Sequence, residues 1–116
     1  MHIYLTFDDG PLNGTLNCFK AIIENNLKAT FFFVGIHASN NRGKSIIDTL
    51  RKSDSLIIGN HSYSHANEEY VEFYKNFRQA KEDFLLNEKL LKLDEKIIRL
   101  PGNNSWAIPK KSEYQI

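Results

Sequence analysis

Cysteine is nearly absent. The sole one, Cys18, can close no internal disulfide and cannot complete a cysteine-based metal cluster, so a disulfide scaffold and a zinc finger are both excluded. An excess of one charge is missing too. The 15 Lys and Arg residues against 14 Asp and Glu leave a formal net charge of +1, too weak a field to gather nucleic acid or anionic lipid. No nucleic-acid partner is expected. Hydrophobic runs are short, the longest lying around 31–36 and falling far below the ~20 residues that a membrane span requires. The opening Met1-His2-Ile3-Tyr4-Leu5 has neither a basic leader region nor a small-residue cleavage site, so no signal peptide is read and a cytoplasmic chain is the default expectation. Internal repeats and low-complexity tracts are lacking. What remains is an ordinary globular composition, 41% hydrophobic and 25% charged over 116 residues, enough for one domain with a core.

The pattern along the chain alternates strand and helix signals. His2 to Phe7 reads as a strand stopped by Asp8-Asp9-Gly10-Pro11. Asn13 or Thr15 would cap a helix reaching Asn26, with Leu16, Phe19, Ile22 and Ile23 at helical spacing. Ala29 to Val34 is apolar nearly throughout, as a strand of a parallel sheet buried on both faces would be. A second helix spans Ser39 to Lys52, and Leu56 to Gly59 is a third strand leading to Asn60-His61. From Glu68 to Leu93 the positions Tyr70, Phe73, Phe77, Ala80, Phe84 and Leu91 suggest one long amphipathic helix, packed through that stripe. Lys96 to Leu100 would be a fourth strand, ended by Pro101-Gly102, and the chain beyond Trp106 reads as loop or tail. This βαβαβαβ order calls for an α/β fold with a parallel sheet and right-handed crossovers. Ligands on such sheets bind beyond the carboxyl ends of the strands. Polar clusters sit at three of those ends: Asp8-Asp9, His61 to His65, and Arg99 to Asn104.

Those clusters carry the chemistry. His61-Ser62-Tyr63-Ser64-His65 sets two imidazoles four residues apart, near enough in a tight turn to share one ion. Two histidines in a polar loop are, taken alone, more often simply solvated. Asp8 or Asp9 could add a carboxylate, giving a two-histidine, one-carboxylate set with room for water, which is the pattern of a catalytic rather than a structural metal. Adjacent carboxylates also repel unless a cation or strong donors compensate them. Neighbouring residues on an extended chain face opposite ways, so one aspartate would bind and the other would be free to act as a base.

Thr6-Phe7-Asp8-Asp9-Gly10-Pro11, Ala29-Thr30-Phe31-Phe32 and His61-Ser62-Tyr63-Ser64-His65 together resemble the polysaccharide deacetylases with the NodB homology domain, carbohydrate esterase family 4. Arg99-Leu100-Pro101-Gly102-Asn103 resembles that family's third motif more loosely. The resemblance implies a (β/α) deacetylase barrel, here cut to about four βα units, because the family's later motifs, including its leucine-histidine pair, do not occur after Arg99. It implies a divalent ion, Zn²⁺ above all, held by Asp9, His61 and His65, with Asp8 as catalytic base and Arg99 orienting it. A turn N–H at Gly102 or Asn103 would face the oxyanion. The implied reaction removes N-acetyl groups from N-acetylglucosamine-containing polysaccharide and releases acetate, with the cell envelope or the exterior as the family's usual setting. The implied open sheet edge would be covered by a second copy or by a missing C-terminal half. Two other readings stay open: a metal- or glycan-binding fragment without the general acid, and a hydrolase of small amides or imides. His37, just past the second strand, is a minor candidate for the acid, and His2 lies at the wrong end. Trp106 would stack on a sugar or pack over a strand end. Tyr63 lines the rim without an assigned role, and Cys18 is an inert thiol of the first helix.

Overall fold

The structure, a computed structural model, describes residues 1–102. Its elements run β1 (Leu5–Asp8), α1 (Thr15–Glu24), β2 (Ala29–Phe33), α2 (Gly35–Ala38), α3 (Asn41–Arg51), β3 (Leu56–Asn60), α4 (Tyr70–Lys75) and α5 (Phe77–Leu91). The strands form a parallel sheet in the order β1-β2-β3, with Phe7 opposite Phe31 and Phe31 opposite Ile58. Strand order that follows chain order, joined by right-handed crossovers, brings successive helices to the same side of the sheet. The main core lies on that side: Phe31, Phe33 and Ile58 pack with Ile22, Ile46, Ile47, Leu50 and Leu91, while Phe7 stacks on Phe31 at 4.8 Å. Full burial of a residue such as Phe33 or Leu50 contributes about 1.5–3 kcal/mol.

The opposite face of the sheet is covered differently. Phe32 is buried there beneath the Arg99 guanidinium, whose carbon lies 4.4 Å from the ring centroid. Gly59 makes room for that ring, since an added Cβ would sit 2.6 Å from Phe32 Cδ1. β2 is therefore covered on both faces, as its composition suggested, but by a cation on one of them.

Several elements depart from expectation. β1 begins at Leu5, and Ile3 and Tyr4 stay exposed. Gly14 rather than Asn13 or Thr15 is the N-cap of α1; Thr15 Oγ1 instead accepts from the Leu12 N–H, closing the turn before the helix. Asn40 caps α3 by accepting from the Gly43 N–H at 2.7 Å. Gly43 is required there because a Cβ would lie 2.3 Å from the His37 carbonyl of α2. The long helix expected over 68–93 is two helices broken at Asn76, which leaves helical geometry and caps α5 by accepting from the Gln79 N–H. The stripe does not pack as a unit: Phe73 is buried, Phe77 is exposed, and the most deeply buried side chain of α5 is Asn87. The expected fourth strand is reduced to one parallel bridge between Asn60 and Ile98. Asn103, Asn104 and Trp106, with the tail after them, lie outside the described residues.

Candidate active site

The carboxyl ends of β1 and β3 and the segment 99–102 meet at one end of the sheet. Thr6 and Asp8, two apart on β1, project to the same face. Arg99 crosses the sheet over Phe32 to reach them, and its Nη1 donates to Asp8 Oδ1 at 3.0 Å and to Thr6 Oγ1 at 2.9 Å. Asp9 turns the other way. Its φ of 72° is left-handed, a conformation that costs a non-glycine residue about 1–2 kcal/mol. The twist points its carboxylate at the histidines instead of at Arg99.

His61 directly follows β3, buried to 3% exposure. Its backbone N–H donates to the Phe33 carbonyl, and its Nδ1 lies 2.8 Å from the Arg99 carbonyl. A carbonyl only accepts, so Nδ1 carries the proton and Nε2 presents its lone pair. Burial lowers the His61 pKa below its ordinary value, against the raising effect of that hydrogen bond and of Asp8 and Asp9. His65 is placed by a turn, His65 to Glu68, with four successive left-handed residues. Its Nδ1 meets Glu68 Oε1 at 2.6 Å, and Tyr70 Oη donates to Glu68 Oε2 at 3.0 Å. The Tyr70 hydrogen bond holds the Glu68 carboxyl below its usual range, with His65 acting in the same direction and burial opposing them.

Asp9 Oδ1 lies 3.2 Å from His61 Nε2 and 3.1 Å from His65 Nε2. One donor atom from each of Asp9, His61 and His65 lies within 4.8 Å of the others. This set fits a divalent cation. It offers two imidazole Nε2 atoms whose Nδ1 positions are taken by acceptors, plus one carboxylate, and so leaves a coordination position over. Asp8, Asp9, His61, His65, Arg99, Leu100 and Gly102 line an open cleft of about 550 Å³. The Pro101–Gly102 turn beside it is fixed from below, where Tyr74 Oη donates to the Pro101 carbonyl at 2.7 Å. Burial pushes the Tyr74 phenol up to about 12, with Tyr70 and Asp83 adding to the shift.

The residues singled out in the sequence therefore converge: Asp8 with Arg99, and Asp9 with His61 and His65. Gly102 lines the same cleft, and Cys18 is packed against the core. His37 is held beside the site, its Nδ1 at 2.5 Å from the Asp9 carbonyl. His2 is exposed ahead of β1.

Sequence reasoning missed the groups that hold the histidine loop. Asp83 Oδ2, on α5, accepts from both the Tyr63 and the Ser64 N–H, at 2.9 and 3.1 Å. One turn further along, Asn87 Nδ2 donates to the Phe33 carbonyl and to Asn60 Oδ1. Asn60 Oδ1 accepts from the Ser62 N–H as well, while Asn60 Nδ2 donates to the Phe84 carbonyl. The signal that could have found them is the i, i+4 spacing of Asp83, Asn87 and Leu91, a row that is two-thirds polar yet faces inward.

A sequence model described as polysaccharide deacetylase matches residues 1–106. A peptidoglycan-N-acetylglucosamine deacetylase of Bacillus cereus is 34% identical over 101 residues, 86% of this chain and 32% of the relative. A chitin deacetylase of Colletotrichum lindemuthianum is 35% identical over 65 residues, 54% of this chain and 26% of the relative. Among solved structures, the family 4 carbohydrate esterase of Streptomyces lividans in complex with acetate aligns with a TM-score of 0.74 at 24% identity, covering 91% of this chain and 54% of that one. The chain thus spans about half of that structure and a third or less of the two curated relatives. Its parallel sheet and helices form part of the α/β deacetylase barrel. With the match running through the two aspartates, both histidines and Arg99, this chain belongs to the polysaccharide deacetylase family.

Proposed function

We propose that this chain carries the metal-binding and base-bearing part of a hydrolase that removes N-acetyl groups from N-acetylglucosamine-containing polysaccharide and releases acetate. The observation that supports this best is the division of two adjacent carboxylates: Asp9 faces His61 and His65, and Asp8 faces Arg99. A divalent cation bound by Asp9, His61 and His65, for which Zn²⁺ suits the donors, would supply Lewis acidity for activating water and polarising an amide carbonyl.

The remaining work belongs to the chain. Asp8, held through Oδ1 by Arg99 and flanked by Thr6, is the base that takes a proton from the attacking water. Arg99 keeps the carboxylate in one orientation, and because the Arg99 carbonyl also holds His61 Nδ1, one residue ties the base to the ligand set. Gly102 lines the cleft in which the acetamide would lie, and its backbone N–H is the donor we assign to a developing oxyanion. The reading of N-acetylglucosamine as the substrate unit draws on what the B. cereus and C. lindemuthianum relatives are named for, since peptidoglycan N-acetylglucosamine and chitin share that sugar.

The test is acetate release from N-acetylglucosamine oligomers by the zinc-loaded protein, beside its metal-free form and Asp8→Asn. Release is expected that requires zinc and falls at least ~10²-fold in Asp8→Asn. Equal release by Asp8→Asn would remove Asp8 from the mechanism. Stoichiometric zinc with no release from any oligomer would favour a metal- and glycan-binding role instead.

A further inference from the structure

We propose that Glu68, braced by Tyr70, is a positioning residue that decides which nitrogen of His65 is offered to the metal; the inference rests on reading His65 as a ligand. Asp9 Oδ1 lies 3.1 Å from His65 Nε2 and, being an acceptor, competes to draw the imidazole proton onto the nitrogen that must stay bare to bind a cation. Glu68 Oε1, at 2.6 Å from Nδ1, draws it the other way. His61 has the same arrangement, with the Arg99 carbonyl on its Nδ1. Both ligand histidines thus have an acceptor behind them, and for His65 that acceptor is a carboxylate.

Glu68 is exposed, and an exposed carboxylate beside a histidine would ordinarily be a weak surface pair. The backbone argues otherwise. His65, Ala66, Asn67 and Glu68 have φ of 55°, 56°, 52° and 58°, four consecutive left-handed residues without a glycine. Such strain persists only where the surroundings over-determine it. Here Ser62 Oγ accepts from the Ala66 N–H and Ser64 Oγ from the Asn67 N–H, so the two serines between the histidines hold the turn. The turn brings Glu68 back onto His65 three residues earlier. Tyr70 then fixes both partners: its hydroxyl donates to Glu68 Oε2, and its ring stands edge-on to His65 at 5.8 Å.

The test uses the full chain in two measurements. Long-range ¹H–¹⁵N spectra of the metal-free protein, taken at alkaline pH where imidazoles are neutral, report the His65 tautomer. Competition titration with a chromogenic chelator reports zinc affinity. In the wild type His65 is expected as the Nδ1–H tautomer. Glu68→Ala should shift it toward Nε2–H and weaken zinc binding ~10–100-fold, leaving the His61 signals and the thermal midpoint in place. Glu68→Gln, which still offers an oxygen to Nδ1–H, should recover most of the tautomer, and Tyr70→Phe should lie between. An unchanged tautomer and unchanged zinc affinity in Glu68→Ala would overturn the proposal, as would failure of Glu68→Gln to rescue the tautomer. If the wild type takes up no zinc while its tautomer still responds to Glu68→Ala, the ligand reading of His65 falls and the positioning role stands.

Discussion

Asp8 and Asp9 are neighbours with different tasks, and a single backbone angle separates them. Extended geometry at Asp8 keeps it on the face that Arg99 crosses, while the left-handed φ of Asp9 swings the next carboxylate to His61 and His65. Sequence motifs identified this pair because chemistry restricts the residue types. They could not assign Asp83, Asn60 or Asn87, whose roles are to satisfy backbone groups around the histidine loop, because any buried polar side chain of suitable length leaves the same trace. Tyr74 is a similar case: it is one more aromatic residue beside Phe73 in the sequence, and its part in the structure is the hydroxyl that donates to the Pro101 carbonyl. Its phenol is pushed up to about 12 from 10.0, so the folded state holds that proton more tightly than the unfolded chain does. The associated stability is fully present below pH 10 and is lost as pH rises toward 12. Spectrophotometric titration at 295 nm should therefore show late phenolate formation, and Tyr74→Phe should remove its latest component. A titration curve unaltered by the substitution would refute the assignment.

Among the elements, α5 behaves least like its sequence. Apolar spacing carries smoothly from Phe73 to Phe77, so periodicity alone reads one helix across Asn76. The local signal that opposes it is the N-cap spacing of Asn76 and Gln79, which the structure uses. The strands were easier to find. Ala29 to Phe33 and Leu56 to Asn60 are short β-rich runs with turns at both ends, and parallel pairing follows from their separation by helices. The segment 96–100 has a similar composition but makes only one bridge, since composition fixes strand propensity and not the partner that completes the ladder. The turn inward of Asp83 gives α5 its task, which is to hold the loop 61–65 by two N–H groups. Asp83→Ala would leave two half-buried N–H groups without that acceptor, each costing ~1 kcal/mol, the lower end of the range for an unpaired amide. A loss of about 2 kcal/mol is expected from urea denaturation, together with weaker zinc binding. Wild-type stability and affinity in this variant would show that the loop holds itself.

Across the whole molecule, the site exists only when distant parts of the chain are folded together. Asp9 follows β1, His61 and His65 follow β3, and Arg99 joins them from the segment bridged to Asn60. A cation that binds these ligands binds the folded state almost exclusively, so it raises stability by mass action, ~2.7 kcal/mol when free metal is a hundred times the dissociation constant. Among the described residues no helix is long and apolar enough to cross a membrane. The measurement to make is the zinc-induced shift in thermal midpoint for the wild type, Asp8→Asn and Asp9→Ala, side by side. The division of labour between the aspartates predicts equal upward shifts in the wild type and Asp8→Asn and none in Asp9→Ala. A shift lost in Asp8→Asn, or kept in Asp9→Ala, would contradict it.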